Sequence, residues 1–418
     1  MEKGRYLEES LKQTLAFNEM KSRKRIHMKT LISNLTVYAE NEVIENGYIL
    51  IEGTQIVEIG SMDNLKIKDP VQKYEFDSRY KVIPGFIDLH IHGASGADTM
   101  DATKEAIQTI AKALPKEGTT SFLATTMTSP IHQIENALFN IKKYRETENQ
   151  PGKAEVLGIH LEGPFISHKR VGAQNPKHIL EPSVDQFQKW QDISGGAIKL
   201  VTFAPELKGG LELTSYLKKT GVVASIGHSD ALYTEAVKAI DAGITHATHL
   251  FNQMRGMHHR EPGVVGAVLM HDEVKCEIIA DGVHVCPEMV KFSYQNKGKD
   301  GLILITDAIR AKCMGNGKYE LGGQEVIVND DKATLKDGTL AGSILKLKDA
   351  AKNMISYTDC SLLDIIQMAS INPAKQINLY DRKGSIRVGK DADLVVINDN
   401  FEVVMTFCKG QSPTCLMH

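Results

Sequence analysis

Two histidines one residue apart, His90 and His92, open a series of metal-capable and acidic side chains that continues through Glu162, His228, His249, Asp281, His284 and Asp307. In extended backbone the i, i+2 spacing of His90-Ile91-His92 places both imidazoles on one face, within reach of a single ion. Glu162, in Gly158-Ile159-His160-Leu161-Glu162-Gly163-Pro164, offers a carboxylate that could bridge two cations, and His160 on the same face reads as a partner behind the ligands. His228 stands in Gly227-His228-Ser229 and His249 in Thr248-His249-Leu250-Phe251-Asn252. Nitrogen and oxygen donors without thiolate suit Zn²⁺, Fe²⁺ or Mn²⁺. Asp307, in Thr306-Asp307-Ala308, is the natural general base: beside a cation a carboxylate can take a proton from water and later hand it to a leaving nitrogen.

Each of these residues alone has a bland reading. His-x-His occurs by chance, a strand histidine is commonly satisfied in a core, and an Asp after a strand often caps a helix. Their placement decides between the readings. Residues 82 to about 306 alternate strand and helix patterns, which indicates a parallel sheet with crossover helices. Eight strand candidates follow: Val82–Asp88, Thr119–Thr125, Glu155–Leu161, Ile198–Phe203, Val222–Ile226, Ile244–Thr248, Cys276–Ala280 and Leu302–Thr306. That number suits a (β/α)₈ TIM barrel, whose sites are built at the C-terminal ends of the strands. The candidate residues all fall at those ends. A doubly wound open sheet would need a glycine-rich phosphate turn after its first strand, and Gly93-Ala94-Ser95-Gly96-Ala97 lacks that spacing.

Helices are expected at Ile131–Arg145, at Ala231–Ala242 with Gly243 as C-cap, and at Lys346–Tyr357 and Ser361–Ala369. Short β-rich runs, Leu31–Tyr38, Val43–Ile51 and Gln55–Ile59, are punctuated by Asn46-Gly47 and Glu52-Gly53 turn signals. A similar pattern returns at Leu394–Ile397 and Phe401–Phe407, so the two ends of the chain are expected to form one small β-sandwich. The expected division is a charged N-terminal extension over 1–27, a β-sandwich from 28–81 and 384–418, and a barrel over 82–383.

Of 418 residues, 42% are hydrophobic and 24% charged, an ordinary globular balance that excludes disorder and collagen-like structure. Lys and Arg number 49 against 52 Asp and Glu, a formal net charge of −3, so charge gives no reason to expect nucleic acid or an anionic membrane as partner. The six cysteines are irregularly spaced with no Cys-x-x-Cys pair, as free thiols of a reducing cytoplasm would be. No run of about 18 apolar residues and no signal-peptide core is present, and a cytoplasmic location is expected.

The segments Pro84-Gly85-Phe86-Ile87-Asp88-Leu89-His90-Ile91-His92-Gly93, Leu161-Glu162-Gly163-Pro164, Ala204-Pro205-Glu206, Thr248 to Met254, Arg260 to Gly263 and Leu340-Ala341-Gly342-Ser343 give the chain a specific likeness. From Met28 onward it resembles the amidohydrolase superfamily, and within it the branch that deacetylates N-acetylglucosamine 6-phosphate. The resemblance implies hydrolysis of the acetamide of N-acetyl-D-glucosamine 6-phosphate to D-glucosamine 6-phosphate and acetate, in amino-sugar catabolism. It implies that Glu162, His228 and His249 hold the main metal and that Asp307 is the acid/base. Retention of His90 and His92 implies a second ion with Glu162 bridging. It further implies substrate contacts from Gln174, Asn252, Gln253, Arg260, His284, Leu340 and Ala341, with the arginine arriving from a neighbouring subunit of a homodimer. No lysine stands at the end of the fourth strand, so a carboxylated-lysine bridge is not expected. Gln174 falls where some members carry a substrate-facing histidine, which leaves open the group that holds the acetyl carbonyl.

Rival readings are another amidohydrolase, such as a cyclic-amide hydrolase, D-aminoacylase or nucleobase deaminase, and a non-catalytic assembly protein that has lost its metal. His168, His178, His258, His259 and His271 lack any partner pattern and read as surface or local packing groups.

Overall fold

The computed structural model describes residues 29–66 and 70–412; the expected extension over 1–27 and Cys415 lie outside them. Eight parallel strands follow one another around a barrel in chain order: β6 (Phe86–Ile91), β9 (Thr119–Thr126), β10 (Glu155–Glu162), β11 (Ile198–Phe203), β12 (Val223–Ile226), β13 (His246–Ala247), β14 (Lys275–Ile278) and β15 (Leu302–Leu304). The ring closes just beyond β15, where Asp307 N donates to His90 O at 2.8 Å and His92 N to Ala308 O at 2.9 Å. Each of the eight expected strands therefore has a counterpart in the barrel, the first shifted to Phe86–Ile91.

Alternation along each strand sends one set of side chains inward and the other towards the helices. Ile87, Leu89, Leu123, Leu157, Leu200, Val223, Ile303 and Ile305 meet inside the barrel, joined by Ala374 and Ile377. The last two come from the short helix Asn372–Gln376 and the residue that follows it; Asn372 Nδ2 donates to the carbonyl of Leu302, where β15 begins, so this segment closes the N-terminal mouth. Outside, helix Lys104–Ala113 buries Ala106, Ile107, Ile110 and Ala111, the stripe that a 3.6-residue period provides, and Thr103 caps it by accepting from Ala106 N. The helices at Ile131–Thr147 and Tyr233–Ala242 occur as expected, the second stopped by Gly243.

The chain ends meet in one seven-stranded sheet: β1 (Lys29–Tyr38), β2 (Val43–Glu52), β3 (Gln55–Ser61), β4 (Val71–Glu75), β5 (Lys81–Pro84), β19 (Leu394–Ile397) and β20 (Val403–Phe407). Ile32, Val37, Ile49, Val82, Leu394, Val396 and Phe407 contribute to its core.

Two local expectations are corrected. Asn46-Gly47 is not a turn: both residues lie within β2, at a break in the β1–β2 register, and a Cβ on Gly47 would stand 2.7 Å from Val37 Cγ2. Glycine serves close packing there, and the hairpin turns earlier, near Asn41. The run Val82–Asp88 is likewise two strands, split at Gly85. β5 joins the terminal sheet by pairing with β19, and only β6 enters the barrel.

A small hairpin, β7 (Gly93–Ala94) and β8 (Ala97–Asp98), follows the His-x-His strand. An antiparallel meander, β16 (Gly317–Leu321), β17 (Gln324–Asn329) and β18 (Lys332–Thr334), follows the eighth barrel strand. The strand–helix count passed over this meander, although Gly322-Gly323 and Asp330-Asp331 between alternating runs are its signals.

Candidate metal centre

Every ligand candidate stands at or just past a strand end on one rim of the barrel. Glu162 is the last residue of β10, His228 and His249 lie two residues beyond β12 and β13, and Asp307 three beyond β15. His228, His249 and Asp307 adopt φ of +48°, +34° and +49°, the left-handed region that ordinary side chains avoid. Holding three such residues in one site is a cost that the surrounding structure must offset, and it turns each side chain away from its strand towards the barrel axis.

The six groups converge. Glu162 Oε1 lies 3.2 Å from both His228 Nε2 and His249 Nε2, and those two nitrogens are 3.1 Å apart. Glu162 Oε2 lies 3.2 Å from His92 Nε2, and Asp307 Oδ1 is 3.2 Å from that nitrogen and 3.4 Å from His90 Nε2. All six side chains are buried. Ligand atoms fall into two sets, Glu162 with His228 and His249, and His90 and His92 with Asp307, each within 4.8 Å.

Burial opposes charge on these groups, and their mutual attraction overrides it. His90, His228 and His249 hold the Glu162 carboxyl well below its usual range, and His90 and His92 hold Asp307 low. His92, despite its burial, is pushed up to about 10 by Asp307 and Glu162. The residues fit a divalent cation: buried nitrogens face one another across ionised carboxylates, and among the described residues His90 Nε2 has no hydrogen-bond partner of its own.

Behind the rim stands a group that the sequence reading did not single out. Glu277, in β14, faces inward with Oε2 2.9 Å from His90 Nδ1 and 3.1 Å from His249 N, and Oε1 3.0 Å from His246 Nε2. It orients His90 as an outer carboxylate orients a ligating imidazole. Its signal was a single acid within the otherwise apolar, buried run Cys276–Ala280. His228 Nδ1 lies 2.8 Å from Arg170 O, and Glu206 accepts from Ser229 Oγ and Asp230 N, both at 2.7 Å, which fixes the loop that carries His228. His160 Nε2 pairs with Thr202 Oγ1 at 2.7 Å and its ring stacks edge-on against His90, 4.4 Å between centroids.

The rim opens into a cavity of about 260 Å³ lined by His92, Glu162, His228, His249 and Asp307 together with Met127, Gln174, Asn252, Gln253, His284, Leu321 and Leu340. His284 is half-buried, which disfavours its charge, but Asp281 Oδ2 at 2.6 Å from Nδ1 raises its pKa. Two expected substrate contacts do not line this cavity. Ala341 is fully buried in the cluster beside the meander, and Arg260 lies on an exposed loop with its guanidinium 2.7 Å from His259 Nε2. A larger cavity, about 460 Å³, borders Asp98, Asn175, Arg310 and Gly322 and contains none of the converged ligands.

The amidohydrolase family profile matches residues 81–412. The N-acetylglucosamine-6-phosphate deacetylase of Bacillus subtilis (strain 168) is 48% identical over 383 residues, 91% of this chain and 96% of that protein. Among solved structures, the N-acetylglucosamine-6-phosphate deacetylase of Thermotoga maritima superposes with a TM-score of 0.83 at 35% identity, covering 92% of this chain and 100% of the other. A mutant of the Mycobacterium smegmatis N-acetyl-D-glucosamine-6-phosphate deacetylase, in complex with N-acetyl-D-glucosamine-6-phosphate, gives a TM-score of 0.85 at 29% identity and covers 93% of this chain and 100% of its own.

Proposed function

We propose, from the premise that this chain belongs to the amidohydrolase family, that it hydrolyses the acetamide of N-acetyl-D-glucosamine 6-phosphate to D-glucosamine 6-phosphate and acetate. The observation that carries the reading is the meeting of four imidazoles and two carboxylates at the C-terminal rim of the barrel, all but His90 lining one cavity. Glu162, His228 and His249 would hold one divalent cation, and His90 and His92 a second, with Glu162 shared between them. Zn²⁺, Fe²⁺ and Mn²⁺ all suit these donors. A bound cation supplies a Lewis acid for the amide carbonyl and makes water acidic enough to react near neutral pH.

Asp307 does the proton work. It borders the cavity, and His90 and His92 keep it ionised, so it can take a proton from the attacking water and pass it to the departing amine nitrogen. Asn252, Gln253 and His284 line the remaining wall as donors for the phosphorylated sugar. Arg260, off the cavity of its own chain, would complete the phosphate site of a partner subunit in a homodimer.

The test is elemental analysis of the purified protein paired with acetate release from N-acetylglucosamine 6-phosphate. One or two equivalents of a divalent transition metal and rapid acetate release are expected. Ammonia release from a nucleobase without acetate would transfer the chain to the deaminases, and a metal-free, inactive protein would favour the assembly role.

A further inference from the structure

We propose that Gln174 is a positioning residue that fixes the rotation of the Glu162 carboxylate, and so governs cation binding by His90 and His92 without serving as a ligand. The inference rests on the two-cation reading above. Gln174 is 3% exposed, and both ends of its amide are engaged. Its Oε1 accepts from Thr128 N at 2.8 Å, and its Nε2 donates to Glu162 Oε2 at 2.9 Å.

A backbone N–H can only donate, so the Thr128 contact settles which end of the amide is oxygen and leaves Nε2 as the end that meets Glu162. The loop bearing Gln174 is held in turn from the meander, where Gln324 Nε2 donates to Ala173 O at 2.7 Å. Two separate segments, the stretch after β9 and the meander, therefore set the position of one neutral donor.

A carboxylate needs such help because its terminal torsion is broad and nearly two-fold. Glu162 must present Oε1 to His228 and His249 and Oε2 to His92 at the same time. The imidazoles crowd Oε1, whereas among the described residues Oε2 meets only His92 and Gln174. An amide steadies Oε2 and leaves a lone pair and the full negative charge for a cation. A lysine or arginine there would compete with the cation for that charge, and an acid would repel the carboxylate.

The test uses Gln174→Met, which keeps the side-chain length without donor or acceptor, and Gln174→Ala as a second variant. Each is stripped of metal and titrated with Zn²⁺ against a chromogenic chelator, with elemental analysis of the loaded protein and a melting temperature recorded alongside. Wild type is expected to take two equivalents. Both variants should keep the first with near wild-type affinity and bind the second roughly 10- to 100-fold more weakly, the usual effect of losing an outer partner of a ligand. Two equivalents bound equally well by wild type and variants would overturn the proposal and leave the two-cation reading standing. Loss of both equivalents together with a lowered melting temperature would assign Gln174 to loop packing and overturn it too. A single equivalent in wild type would overturn the two-cation reading, and this proposal with it.

Discussion

Asp307 meets two opposing demands: it is buried, which favours the neutral acid, yet it faces His90 and His92, which keep it charged. A base that is ionised but sheltered from bulk water is suited to passing a proton between two reactants in the cavity. Asp307→Asn keeps the shape and removes the exchangeable proton site, so kcat should fall by about 10²- to 10⁴-fold while metal content by elemental analysis holds. Near wild-type turnover in a metal-loaded variant would remove the assignment. At this scale the sequence was informative, because a histidine or acid at a strand end advertises itself by type. Glu277 was less visible, because its role depends on what it touches, and His90 is 187 positions away in the chain.

Element boundaries show where short-range pattern stops being enough. The apolar run from Val82 reads as one strand, but Gly85 N is bound by Asp393 O at 2.9 Å and Phe86 N by Gly118 O at 3.0 Å, so its two halves answer to different sheets. A Cβ on Gly85 would stand 2.2 Å from Thr120 Oγ1 and 2.3 Å from Thr120 Cγ2, inside packed structure. Gly85→Ala should therefore destabilise the protein by about 1–3 kcal/mol, seen as a lower urea midpoint in equilibrium unfolding. An unchanged midpoint would mean that Thr120 can give way. The same limit explains Asn46-Gly47, whose composition suits a turn and whose observed use is a break in strand register.

On the scale of the whole molecule, the start of β10 is tied to the C-terminal segment by an ion network. Glu155 receives Arg382 through two contacts of 2.9 and 3.0 Å, Lys383 at 2.6 Å and Lys409 at 3.1 Å. Burial pushes the Glu155 carboxyl up, and Lys383 and Arg382 hold it well below its ordinary 4.5. A carboxyl depressed in the folded state stabilises the fold fully above its unfolded pKa, and that contribution fades as pH drops towards the folded value. Glu155→Gln should cost up to about 3 kcal/mol at pH 7, the low end for a broken buried pair, since Asp391 and Asp393 still face Lys383. The gap from wild type in thermal melts should narrow as pH is lowered through 4 and below; a constant gap would contradict the linkage. Arg260 belongs to the same scale, because its proposed role needs a second chain. Arg260→Ala should raise KM for the 6-phosphorylated sugar by about 10- to 100-fold, the loss expected for charged hydrogen bonds, and leave an unphosphorylated N-acetyl sugar unaffected. An equal loss on both substrates would remove the phosphate role.

Residue type and local period were enough to locate the eight barrel strands and to single out His90, His92, Glu162, His228, His249 and Asp307 as candidates, and they brought the chain ends together as a β-sandwich where the structure has one seven-stranded sheet. Those features depend on short-range alternation and on chemistry that each residue carries wherever it stands. Only the tertiary structure decided that Glu277 backs His90, that Gln174 grips Glu162, that Arg260 stays off its own chain's cavity and that a meander adds Leu321 to the wall. Such relations depend on distances between residues remote in the chain, which packing sets and local pattern does not encode.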